Sequence, residues 1–167
     1  MPSPILRGED ETPAMLIAII LHLLAAVVWV GGMLFAYVCL RPVAATLLET
    51  PQRLGLWIGV LRRFFLFVWL AVVILPASGF YLASGMFGGL ARAPLHVDIM
   101  LGAGALMILL FLHAYFAPYR RLRRAVAAED YGEGARQLAQ IRRLVGINTL
   151  LGLAVIALAG GGRVLGL

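Results

Sequence analysis

Charge is scarce in this sequence. Only 13% of the 167 residues are charged, against 62% hydrophobic. A soluble domain carries roughly 25% charge, so an ordinary soluble domain is excluded. Cysteine occurs once, at Cys39. That excludes an intramolecular disulfide and leaves the redox compartment unread. No Cys-X-X-Cys-His is present, which excludes covalent c-type haem. A phosphate-cradling glycine loop, a zinc-protease helix and a hydrolase elbow are missing too. Lysine is absent: all 14 basic residues are arginine.

What the chain has instead is apolar runs long enough to cross a bilayer, which takes roughly 20 residues. There are four: Ala14 to Leu40, Phe64 to Leu82, Ile99 to Ala117 and Leu144 to Gly162. The first is too long for the h-region of a signal peptide and shows no small-residue cleavage site. Pro76 in the second run is tolerated as a kink. The fourth run carries Asn148 and Thr149. Four arginines (Arg41, Arg53, Arg62, Arg63) separate the first two runs. Seven more (Arg120, Arg121, Arg123, Arg124, Arg136, Arg142, Arg143) separate the last two. Only Arg7, Arg92 and Arg163 lie elsewhere. The positive-inside rule therefore puts both arginine-rich connections in the cytoplasm and both termini outside, in the periplasm. A nucleic-acid surface would need a separable basic domain. These arginines sit at bilayer edges, so no nucleic-acid partner is expected.

The fold expected is all-α, a single four-helix transmembrane bundle over residues 1–167, with helices at about 13–41, 62–84, 94–117 and 136–162. Thr12-Pro13 and Thr50-Pro51 read as N-cap plus proline at the first helical position. A helix from Thr50 continues through Arg62-Arg63 into the second span. Ser84 to Pro94, with Gly85, Gly88 and Gly89, is a turn. Arg41-Pro42 and Pro118 mark inner helix ends. The stretch YRRLRRAVAAEDYGEGARQLAQIRR is a charged hairpin leading into the fourth span. Gly31-Gly32, Ala25-Ala26, Gly102 and Gly104 are candidates for close helix contacts. Trp57 and Trp69 either anchor at the interface or pack inside.

Polar chemistry inside a membrane is costly, so each intramembrane histidine is a functional candidate. At about 100° per residue, Met15, His22, Trp29 and Met33 share one face of the first helix within about 20°. His96, Met100 and Met107 share a face of the third within about 40°. His113 points about 100° away from that stripe. Counted from Pro13 and Pro94, His22 and His96 differ in depth by roughly 10 Å. Two imidazoles facing each other across a bundle can ligate haem iron. The same inventory suits copper, because methionine and thiolate favour Cu(I) and imidazole suits either oxidation state. Met15, His22, Met86, His96 and Met100 would then be the ligands. Cys39 would be a later stop on the path, or else a small buried hydrophobe. Plain alternatives stand beside each. His22 as a packing residue bonded to a backbone carbonyl is one, and His96 and His113 as interfacial residues are others. Asp98 as a first-turn acid facing the helix dipole, and methionines as core filler, complete them.

Taken together, LHLLAAVVWVGGMLFAYVCLRP, the glycine-containing loop leading to APLHVDIML, and IRRLVGINTLLGLAVIALAGGGR resemble the CopD-like (copper-resistance protein D) family of bacterial inner-membrane proteins. The resemblance runs from about Ala14 to Arg163. It implies a multi-pass protein of the bacterial inner membrane concerned with copper uptake or resistance. The same features are more distantly similar to HemJ-type haem-b membrane proteins. Those have a histidine on the first helix and His-Val-Lys near the start of a later one, where this chain reads His96-Val97-Asp98. That resemblance carries over only His22 and His96, as haem ligands.

The expectation is a b-type haem protein. His22 and His96 would bind the iron, Trp29 would pack on the ring and Arg41 would reach a propionate. Its function would be electron transfer or redox chemistry with a quinone or small oxidant, as a membrane oxidoreductase. The alternative is a copper-binding or copper-transporting protein, and the third is a structural or assembly subunit without ligand. Expected partners are the lipid bilayer, a quinone or a periplasmic redox or metal partner, and a second copy of the chain. Reporter fusions at both ends are expected to read outside, and a cytoplasmic signal from either end would break this orientation.

Overall fold

The computed structural model describes residues 4–161. Among the described residues four helices are long and apolar enough to cross a membrane: α1 (Pro13–Leu47), α2 (Thr50–Phe87), α3 (Leu95–Ala127) and α4 (Tyr131–Gly161). They form an all-α antiparallel bundle in which α1 packs chiefly on α2, and α3 on α4. A helical span satisfies its own backbone polar groups, which hydrocarbon cannot do.

All four helices are longer than their apolar runs, and the reasons are local. The helix leading into α1 begins at Pro4, so Pro13 lies inside it rather than at its start. Arg41-Pro42 does not end α1. The turn before it, Ala36–Leu40, opens into a π-helix, and regular α-helix resumes from Arg41 to Leu47. Pro118 likewise does not end α3, because it sits within a second wide turn, Tyr115–Tyr119. In both places a proline that cannot donate to the i−4 carbonyl is accommodated by a local change of register. A further π-turn, Val27–Gly31, lies in mid-span of α1.

The starts and turns follow familiar chemistry. The second helix begins at Thr50 with Pro51 in its first turn. Thr50 does not cap it; its Oγ1 accepts a bond from Arg53 at 3.3 Å. After Phe87 the chain reverses through Gly88 and Gly89, whose φ values of 72° and 118° an L side chain rarely adopts. Their N–H groups bond back to Ser84 and Ala83, closing the helix C-terminus. In the hairpin between α3 and α4, Asp130 Oδ1 accepts the Glu133 N–H at 2.9 Å, an N-cap.

Lipid is as apolar as leucine, so the bundle holds by close packing rather than by burying apolar surface. Phe65 and Phe111 centre an aromatic cluster. Their ring centroids are 5.5 Å apart. Trp29 of α1 meets Phe111 edge-on at 6.3 Å, and Trp69 meets it at 5.2 Å. Tyr119 stands perpendicular to Phe65 at 5.0 Å. Trp57 is buried, and Trp69 is half-buried against the core, so both pack inside. The expected small-residue contacts are partly relocated. Gly32 lies against the Phe64 ring, but Gly31, Gly102 and Gly104 face open space. The closest approach of α4 is at Gly152, where a Cβ would come within 2.6 Å of Val30 and 3.2 Å of Met107. Leucine there is overpacked, which costs about 1–3 kcal/mol. Gly152→Leu is therefore expected to lower the thermal midpoint in detergent, while Gly160→Leu, at an open position, leaves it unchanged.

Candidate functional site

The face of α1 that carries Met15, His22, Trp29 and Met33 points into the bundle. Trp29 and Met33 are buried, while Met15 and His22 are half-buried. His22 lies over Gly79 of α2: a Cβ on that glycine would be 3.5 Å from His22 Cε1. The small residue lets an imidazole fit between two helices.

The ring is held by a relay. His22 Nδ1 is 2.8 Å from Ser78 Oγ. Ser78 Oγ is 2.6 Å from the Ile74 carbonyl oxygen. A carbonyl can only accept and a serine hydroxyl has one proton, so that proton goes to Ile74. Ser78 Oγ must then accept, and His22 Nδ1 must carry the hydrogen. The Leu75 backbone carbonyl also lies within reach of the ring. The packing alternative, a histidine bonded to a neighbouring backbone carbonyl, is met by Leu75, and the Ser78 hydroxyl is a partner beyond it. The His22 tautomer is set, and the Nε2 lone pair is its remaining coordinating position. Ser78 itself is buried. Sequence reading missed it; the signal was a serine beside a glycine two residues past a proline, within an apolar run.

The other candidates fall at two levels and in the core. Met15 sits near the outer end of α2, where a Cβ on Gly85 would be 2.8 Å from its Cε. His96 is the second residue of α3, half-buried, with Met100 one turn further and also half-buried. Met86 is exposed near the end of α2. Gly79 lies eight residues before Phe87, so His22 is about 12 Å inside the end of α2. Met15 and His96 therefore share the rim, and His22 lies deeper. Met107 is a core residue against Gly152. Asp98 and His113 are exposed. Cys39 is exposed, not buried, because it falls on the outward face of a π-turn. Arg41 does not join His22. Nineteen residues separate them, roughly 28 Å along the helix, and its guanidinium lies over the Tyr37 ring at 5.0 Å. Among the described residues, no group of three or more His, Cys, Asp and Glu side chains could hold a metal ion.

In protein with ¹⁵N-labelled histidine, His22 is expected as the Nδ1–H tautomer. Ser78→Ala should give a tautomer mixture, and Ser78→Thr should restore the single form. An Nε2–H signal in the unmutated protein would contradict the relay.

No curated protein and no solved structure matches the chain. A family model does: copper resistance protein D, CopD, over residues 58–161. The match takes in most of α2 with Ser78, then α3 with His96, and α4; His22 and Met15 lie before it. It covers more than half of the sequence, and with four membrane-crossing helices the chain belongs to the CopD family of multi-pass bacterial inner-membrane proteins.

Proposed function

We propose that this protein handles copper(I) as cargo in the half of the bundle away from the two arginine clusters. The arginine bias supports a periplasmic location for that half, with both termini outside. The rim would offer Met15, Met86, His96 and Met100, and His22 would be the deeper stop. The observation that carries this reading is the relay from His22 through Ser78 to the Ile74 carbonyl. A ligating histidine usually donates its other ring N–H to an acceptor that fixes its orientation, and His22 is built that way. The candidate donors at the rim above it are imidazole and thioether, a set that suits Cu(I). The family description, copper resistance protein D, supports the same cargo.

The same imidazole supports a second reading. A neutral histidine with Nδ1–H donated and Nε2 open is also the form of an axial haem ligand. In that reading His22 would be one axial ligand of b-type haem, with Trp29 the aromatic ring next below; His96, expected as the opposite ligand, lies at the rim and not at the depth of His22. The chain would pass electrons to a quinone or small oxidant. Arg41 has no part in it, being at the far end of α1.

Protein purified in detergent, after growth with copper and haem precursor supplied, separates the readings. The expected result is a colourless sample that binds Cu(I) against a chromogenic competitor. His22→Ala should abolish the deeper site, and Ser78→Ala should weaken it by about 10–100-fold. A Soret band that disappears in His22→Ala would overturn copper in favour of haem. A colourless sample that binds no Cu(I) would overturn both and leave a structural or assembly subunit.

A further inference from the structure

We propose that the cavity between α1, α2 and α4 at the arginine-rich end binds an anionic phospholipid. Arg41 and Arg142 would hold its phosphate, and one acyl chain would lie among Tyr37, Trp57, Phe64 and Ile141. This rests on different residues from the copper reading and does not depend on it.

The cavity has a volume of about 390 Å³, within the range of roughly 300–1,000 Å³ typical of small-molecule sites. Its walls are aliphatic and aromatic, and both guanidinium groups in its lining belong to residues at the arginine-rich end of their helices. An amphiphile with one anionic head and an apolar tail matches that division. A free anion would leave the apolar part without a counterpart.

The charge is concentrated and unmatched. Arg142 feels the positive charges of Arg41 and Arg53. No carboxylate of the described residues pairs with any of the three; the ion pair nearest in sequence, Arg136 with Glu133 at 2.8 Å, is on the surface. Like charges gathered beside an apolar cavity raise the local potential, and an anion relieves it. Paired guanidiniums suit a phosphodiester because each offers a planar fork of donors. Arg41 is already positioned by its stack on Tyr37. The α1 wall of the cavity, Gly32 to Arg41, lies just after one π-turn and includes another. Such turns are frequent at functional sites.

Lipid retention by the full-length protein, measured by native mass spectrometry from detergent, tests this with phosphatidylglycerol and phosphatidylcholine of equal chain length. Phosphatidylglycerol should be retained preferentially. The double variant Arg41→Gln/Arg142→Gln should hold it at least about tenfold more weakly, as expected for lost charge-assisted hydrogen bonds, with phosphatidylcholine unchanged. Ala36→Trp fills the cavity and spares both arginines; it should also reduce retention. If the double variant does not fold, the lipid preference of the unmutated chain and the Ala36→Trp result decide. Equal retention of the two lipids overturns the proposal. Unchanged phosphatidylglycerol binding in Ala36→Trp, with displacement by millimolar inorganic phosphate, also overturns it, because the site would then read a phosphate alone. Copper binding should be the same in all three proteins.

Discussion

The bundle depends on edge-to-face aromatic packing in its middle. Phe65 and Phe111 join α2 to α3, Trp29 brings in α1, and Trp69 and Tyr119 close the cluster. In hydrocarbon there is little gain from hiding apolar surface, so directional ring contacts and close glycine approaches supply the cohesion. Gly152 lets α4 reach Val30 and Met107 at the same depth. The same layer buries Asn148, whose Nδ2 donates to the Met107 carbonyl at 3.3 Å and ties α4 to α3.

The ends differ in kind. Toward the rim, α1 and α2 separate only by the thickness of an imidazole, made possible by Gly79. Ser78 uses its proton on the backbone of its own helix and so presents an acceptor to His22. That arrangement orients one nitrogen lone pair, which is what a soft metal or a haem iron requires of a histidine. Toward the arginine-rich end, beyond its mid-span π-turn, α1 opens a second wide turn, and a cavity faced by aromatic rings, Arg41 and Arg142 lies between it, α2 and α4. One helix thus carries both features on the same inward stripe. Trp29 and Met33 fill the stretch between them.

Much of the architecture was legible in the residues. Apolar runs separated by arginine clusters define four spans, because neither feature depends on a partner. The inward face of α1 followed from the spacing of His22, Trp29 and Met33. Helix ends were less legible. Pro42 and Pro118 look like terminators, yet wide turns absorb them, and whether a turn widens depends on what packs beside it. Gly102 and Gly104 look like contact residues but face open space, since composition cannot say which side of a helix meets a neighbour. Placing Arg41 with His22 fails on simple length along the helix.

Sequence by itself determined the class of molecule, the number of spans, the asymmetry of charge and the small set of side chains able to bind a soft metal. Each follows from local composition and the fixed rise and turn of a helix. Only the tertiary structure decided that Ser78 meets His22, that Met15 and His96 lie at the rim while His22 lies deeper, and that Arg41 and Arg142 border one cavity. Those are relations between helices, set by which small residues allow close approach and by where α1 changes register. No spacing within a single helix encodes them.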